Sequence, residues 1–175
     1  MRPLKKLCCT LLVSLLCLSF VTPALAASTP GFQAFTKTNL GAYEKFTDID
    51  QSKWYGSSKQ GVIKTACELN ILNGMSPTKF DPEGTLRLNE AVKIACVIHA
   101  LYTGQADPLQ PGTGKHWAAP YLAYAEANGI LQKDEFTNYD RPATRSEMAH
   151  IFAKSLPEDG LKKINTILSI NDVER

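Results

Sequence analysis

The chain has 175 residues, of which 44% are hydrophobic and 21% charged, and its formal net charge is +2. Its first 26 residues contain three basic residues and no acidic ones, so residues 27–175 carry 16 basic and 17 acidic residues, a formal charge of −1. This near-neutral balance excludes a generic nucleic-acid binder, which needs a basic surplus. The hydrophobic fraction is typical of a globular protein with enough chain to bury a core.

Residues 1–26 have the order of a secretory signal peptide. Three basic residues precede an apolar run over residues 7–21, and Ala24-Leu25-Ala26 supplies a small-residue cleavage site. The apolar run is shorter than the ~20 residues that cross a bilayer as a helix. We therefore predict export, cleavage after Ala26 and no transmembrane span in the mature protein.

Two cysteines, Cys67 and Cys96, remain after this cleavage. An oxidising exterior permits a disulfide between them, and buried free thiols are the alternative. Together with His99 they offer three metal ligands, whereas a structural zinc site needs four. We predict neither a metal nor a cofactor.

From residue 46 onwards the chain can be aligned with itself. Trp54 recurs as Trp117, Glu90 as Glu147, and Asn70-Ile71-Leu72 as Gly129-Ile130-Leu131. Near the end, residues 170–173 (Ile-Asn-Asp-Val) echo residues 46–49 (Phe-Thr-Asp-Ile). The prediction is a signal peptide (1–26), a spacer (27–45), a first repeat (46–104), a second repeat (105–160), and a linker helix with the start of an incomplete third repeat (161–175).

Each repeat has the pattern of a helical hairpin. In the first, apolar residues from Ile63 to Ile71 follow one helix that Asn73-Gly74 ends, and residues from Ala91 to Tyr102 have the i, i+3, i+4, i+7 spacing of a second. In the second repeat, a helix near 118–128 ends at Gly129. One such hairpin cannot bury its apolar face alone, so we predict a mainly α fold of packed helix–loop–helix hairpins.

The tetrad Thr144-Arg145-Ser146-Glu147 opens the second helix of the second repeat. Thr144 as N-cap and Glu147 three residues later predict a capping box. Arg145 places positive charge where the helix dipole is already positive, at a cost of about 0.3–1 kcal/mol. An anion bound at this position would explain the arginine, and a plain solvated side chain is the alternative.

These motifs resemble those of S-layer homology repeats. In the first copy the matching features are Phe46-Thr47-Asp48-Ile49, Trp54, Asn70-Ile71-Leu72, Phe80-Asp81-Pro82 and Glu90. In the second they are Trp117-Ala118-Ala119-Pro120-Tyr121, Gly129-Ile130-Leu131 and the tetrad at 144–147. The resemblance covers residues 46–157 and the short segment 170–173.

The resemblance implies an extracellular, non-catalytic module of the bacterial cell wall or S-layer. Members of the family bind secondary cell-wall polysaccharide, often pyruvylated, that is attached to peptidoglycan. Three repeats usually form a three-lobed bundle with the ligand in grooves between lobes. Carried over by position, the implied polysaccharide-binding residues are Thr144, Arg145, Glu147, Trp117 and Gly129 in the second repeat, and Asp48 and Trp54 in the first.

The first repeat departs from the family pattern at its second helix. With Glu90 aligned to Glu147, Arg87 occupies the threonine position and Leu88 the arginine position. Arg87 is therefore a weaker candidate for the polysaccharide site.

Several alternatives stay open from the sequence. Trp54 and Trp117 are either core residues or surfaces on which a sugar stacks. The chain could instead act as a structural S-layer or envelope protein through self-association, or as a truncated anchor of a larger wall-bound enzyme.

Overall fold

The computed structural model describes residues 31–56, 61–105, 109–114 and 117–157. In these ranges a short 3₁₀ turn at Phe32–Ala34 precedes four α-helices, which are α1 (Val62–Glu68), α2 (Leu88–Tyr102), α3 (Ala119–Ala127) and α4 (Arg145–Ala153). The described residues contain no strand, and extended pairing is limited to one isolated bridge between Arg87 and Pro142. The predicted mainly α fold is confirmed. The predicted signal peptide and the start of a third repeat lie outside the described residues.

Helix α2 lies at the centre of the larger hydrophobic core and packs against both α3 and α4. It belongs to the first predicted repeat, whereas α3 and α4 belong to the second, so this core is shared between the two halves of the chain. Its fully or nearly buried members are Leu88, Val92, Ala95, Cys96, Val97, Tyr121, Ala125, Ile130, Leu131 and Ile151.

A smaller core lies around α1. It contains Phe46, Ile49, Tyr55, Ile63 and Cys67, with Phe80 packed against it. The turn after α1 fits closely on this core because Gly74 has a φ of 76° and a Cβ there would overlap the Phe46 ring. Glycine is therefore required at this position both by backbone conformation and by space.

Helix α1 ends earlier than the sequence pattern predicts. It stops at Glu68, and Asn70 adopts a φ of 58° in the left-handed region. The N–H groups of Ile71 and Leu72 then bond back to the Ala66 carbonyl. The prediction that Asn73-Gly74 ends this helix is wrong, because asparagine itself tolerates the left-handed conformation that terminates a helix.

Residues 31–45 fall in the predicted spacer and are bonded to the first half. The Gly31 N–H donates to the Tyr102 carbonyl at the end of α2 (2.6 Å). At the end of α1, the Glu68 carbonyl accepts two backbone N–H groups, and its carboxylate pairs with Lys37 (2.8 Å). This segment therefore joins the ends of α1 and α2.

The two cysteines are free and buried, which decides between the two alternatives left by the sequence. Cys67 lies in the smaller core, whereas Cys96 lies in the larger one and donates to the Tyr121 carbonyl (3.3 Å). Burial raises the pKa of Cys96 to about 12. Both thiols act as small apolar core groups.

Candidate functional site

The predicted capping box at the start of α4 is present. The Thr144 hydroxyl accepts the Glu147 N–H (3.2 Å), and the Glu147 carboxylate accepts the Thr144 N–H (2.8 Å). Thr144 has the extended backbone (φ −81°, ψ 160°) that an N-cap requires. The capping box thus provides acceptors for two of the four N–H groups that a helix start leaves without an intrahelical acceptor.

Glu147 has a second partner that the sequence analysis missed. Arg141, in the loop before α4, donates to both of its carboxylate oxygens (2.9 and 2.5 Å). This bidentate pair, supported by the Thr144 N–H and hydroxyl, lowers the pKa of Glu147 to about 2. The Glu147 carboxylate is therefore engaged within the protein, and it fixes the loop to the helix start.

Arg145 occupies the first position of α4 and is exposed. In the described part of the chain its guanidinium has neither a hydrogen-bond acceptor nor a carboxylate partner. The neighbouring Arg141 is held by Glu147. Of the two arginines at this helix start, Arg145 is thus the one whose donors face solvent.

The start of α2 has the same backbone as the start of α4 but a different surface. Arg87 is the N-cap, with φ −83° and ψ 158°, and its N–H donates to Glu90 (2.8 Å). An arginine side chain has no acceptor, so the second half of a capping box cannot form here. The Arg87 side chain is exposed.

A loop of the second half covers the start of α2. The N–H groups of Leu88 and Asn89 donate to the carbonyls of Arg141 (3.0 Å) and Tyr139 (2.9 Å), and the Asn89 side chain donates to Asp140 (2.7 Å). Leu88 is fully buried as a result. The position equivalent to Arg145 therefore serves the core in the first half.

Trp117 is half-buried and borders a cavity of about 620 Å³ whose other lining residues belong to the first half of the chain. Its ring packs edge-on against Tyr121. Lys93, which the sequence analysis did not single out, is the cation of this cavity, while Asp81 and Glu90 are its carboxylates. The remaining lining residues are Ile71, Leu72, Asn73, Gly74, Met75, Phe80, Pro82, Gly84, Thr85, Leu86 and Ile94.

Trp54 and Asp48 have different environments in the first half. Trp54 is 66% exposed and meets Tyr55 edge to face. The Asp48 carboxylate accepts the N–H groups of Phe80 and Asp81 (2.9 and 2.8 Å), which lower its pKa. Asp48 therefore joins the opening of the first half to the loop before α2.

Gly129 ends α3 with a φ of 71°, as predicted for a C′ glycine. A Cβ at this position would meet no atom within 4 Å, so the surface above it is open among the described residues. Ile130 and Leu131 donate to the Ala125 carbonyl, which is the pattern that Ile71 and Leu72 make with Ala66. The two helix ends are alike, with asparagine at one and glycine at the other.

The described residues contain no group of three or more His, Cys, Asp or Glu side chains placed to hold a metal ion. No helix among them is long and apolar enough to cross a membrane. The structure brings Thr144, Arg145 and Glu147 together at one helix start, whereas Trp117 borders the cavity and Asp48, Trp54 and Arg87 belong to the first half.

Comparison with known proteins finds relatives named for the cell envelope. The chain is 30% identical over 131 residues to a surface-layer 125 kDa protein of Lysinibacillus sphaericus, covering 70% of this chain and 11% of that protein. It is 27% identical over 115 residues to an uncharacterized cell wall amidase of Bacillus anthracis, covering 64% of this chain and 21% of that protein. No family model and no solved structure matches the chain. The similarity supports a cell-envelope association, and the chain spans about a tenth and a fifth of these relatives' lengths.

Proposed function

We propose that this chain is a non-catalytic anchoring module that binds an acidic secondary cell-wall polysaccharide attached to peptidoglycan. In this proposal the chain consists of S-layer homology repeats at 46–104 and 105–160, exported by the signal peptide at 1–26. Two lines of support are the surface-layer and cell-wall names of the relatives and the recurrence of ordered motifs in both halves.

One observation carries the proposal: the Arg145 guanidinium has no partner among the described residues, and it lies at a helix start whose capping box forms without it. The planar guanidinium can bind a carboxylate through two parallel hydrogen bonds. The first-turn N–H groups of the helix add a favourable field for an anion. Because residues 27–175 are nearly neutral, an acidic polymer would be held by placed cations rather than by bulk charge.

The other predicted residues enter the proposal in different ways. Thr144 and Glu147 position the helix start that presents Arg145, and Gly129 leaves open space above the end of α3. Trp117 offers an aromatic face beside the cavity, where Lys93 is a second cation. In the first half, Asp48, Trp54 and Arg87 are weaker candidates, because Asp48 is bonded to backbone and Leu88 replaces the arginine.

The proposal is tested by sedimentation of the purified protein with bacterial sacculi. We expect the protein to sediment with sacculi that carry the polysaccharide and to stay in the supernatant once the polymer has been removed. Arg145→Ala should weaken binding, whereas Lys133→Ala, which removes one positive charge from another exposed position, should not. Undiminished binding to stripped peptidoglycan would contradict the proposal.

The amidase relative makes catalysis the alternative to exclude by experiment. The same protein, incubated with intact sacculi, should release no new amino groups or soluble fragments if the module only binds. Release of such groups would replace the anchoring proposal with an enzymatic one.

A further inference from the structure

Besides the shared core, the contact between the two halves of the chain contains three backbone hydrogen bonds at the start of α2. Leu88 and Asn89 donate to the carbonyls of Arg141 and Tyr139, and the Ala143 N–H donates to the Leu86 carbonyl (3.0 Å). In all three bonds, the 139–143 loop of the second half lies over the start of α2 in the first half.

The equivalent groups 57 residues later have no partner among the described residues. At the start of α4 these are the N–H groups of Arg145 and Ser146 and the carbonyl of Ala143. Both side chains at the two donor positions are exposed, in contrast to the buried Leu88 and Asn89 of α2. Within the described ranges, the start of α4 thus has the donors and the acceptor of the interface without a covering loop.

The loop that could cover such a surface is present in the first half. Residues 82–86 precede α2 as residues 139–143 precede α4. The carbonyls of Pro82 and Gly84 and the N–H of Leu86 are the 57-residue equivalents of the bonding groups at 139, 141 and 143. Among the described residues, none of these three groups has a hydrogen-bond partner.

The two equivalent tryptophans, Trp54 and Trp117, also differ in exposure. Trp117 belongs to the second half, which supplies the covering loop, and is half-buried against residues of the first half. Its counterpart Trp54 is 66% exposed. The tryptophan of the second half therefore packs against the first half, whereas the equivalent tryptophan of the first half, which also carries the 82–86 loop, is exposed.

We propose that two copies of this chain associate head to tail by repeating the contact between its halves. The 82–86 loop and Trp54 of one copy cover the start of α4 of the next. The bonds would be Arg145 N–H to Gly84 carbonyl, Ser146 N–H to Pro82 carbonyl, and Leu86 N–H to Ala143 carbonyl. The contact uses two different surfaces, so it leaves one of each free and can continue to larger assemblies.

A proline substitution tests the donor side of this interface. Arg145→Pro removes the N–H at the first helical position, where proline is favoured, and the extended backbone of Thr144 accepts a following proline. Arg145→Ala removes the same side chain and keeps the N–H. By light scattering across a concentration series, Arg145→Ala should gain mass at a concentration no higher than the wild type, because the covering loop would bury this arginine as it buries Leu88. Arg145→Pro should need about tenfold higher concentration than Arg145→Ala, as for one lost interface hydrogen bond.

A second variant and a mixture test the direction of the contact. Trp54→Ala alters the opposite surface and should also weaken association. Mixing Arg145→Pro with Trp54→Ala leaves one intact surface on each partner, so the mixture should form dimers at concentrations where each variant alone is monomeric. A constant monomer mass for the wild type, equal association of the proline and alanine variants, or no gain on mixing would each overturn the proposal.

Discussion

The carboxylate of Glu147 joins Arg141 to the start of α4. It accepts two guanidinium hydrogen bonds while also accepting the Thr144 N–H. One side chain therefore completes a capping box and neutralises the arginine that precedes it. Arg145, four residues from Arg141, remains the exposed cation of this helix start.

This arrangement predicts a dependence of stability on acid. The pKa of Glu147 falls from its ordinary 4.5 to about 2, so its contribution is complete above pH 4.5 and is lost as the pH falls towards 2. In urea titrations, Glu147→Gln should be less stable than the wild type at pH 6, and the difference should shrink below pH 4. A difference that does not change with pH would argue against an ionised pair.

The N-cap predicts a local stability effect separate from ligand binding. Thr144→Ala removes the acceptor for the Glu147 N–H and should lower the free energy of unfolding by about 1 kcal/mol. Thr144→Ser is the control, since serine keeps the hydroxyl acceptor. Equal losses for alanine and serine would assign the effect to packing rather than capping.

The buried position equivalent to Arg145 predicts that the two halves are not interchangeable. Leu88→Arg would place a charge at a fully buried site under the 139–143 loop and should cost several kcal/mol, roughly the penalty of an unpaired buried charge. Leu88→Met, of similar volume, should cost less than about 1.5 kcal/mol. Thermal unfolding followed by circular dichroism measures both, and a stable arginine variant would mean that the loop moves away.

The ends of α1 and α3 predict which of two substitutions at position 129 costs more stability. Gly129→Ala would place a Cβ in the left-handed region, at a cost of roughly 1–2 kcal/mol, although no neighbouring atom obstructs it. Gly129→Asn should cost less, because Asn70 already occupies the equivalent conformation. Denaturant unfolding of both variants measures this order, and a reversed order would contradict it.

The free cysteines predict that reductant has no effect. The unfolding midpoint should be the same with and without a reducing agent, since Cys67 and Cys96 lie in separate cores. A thiol reagent should react slowly with the native protein and rapidly in denaturant, because burial raises the pKa of both thiols. A midpoint that falls on reduction would indicate a disulfide.

Local patterns allowed part of this structure to be predicted from the sequence. The capping box at Thr144 and the glycine at 129 follow from residues within one helical turn, and both are confirmed. The end of α1 was misplaced because asparagine, unlike glycine, gives a weak signal for the left-handed conformation that Asn70 adopts.

The contacts that the sequence did not indicate join residues more than one helical turn apart. Nothing in the spacing of Arg141 distinguishes a partner of Glu147 from a solvated loop arginine. The burial of Leu88 depends on a loop more than 50 residues away, which no periodicity within α2 can indicate. The sequence could therefore identify Arg145 as a candidate, whereas its contrast with Arg141 required the structure.

The most direct test of the account is calorimetric titration of the protein with purified wall polysaccharide, before and after chemical reduction of the polymer's carboxylates. We predict that the wild type binds the native polymer and not the reduced one, and that Arg145→Ala loses most of this affinity. Arg145→Lys should recover part of it, because it keeps the charge without the planar fork. Equal affinities of wild type, Arg145→Ala and Lys133→Ala for the native polymer would contradict the account.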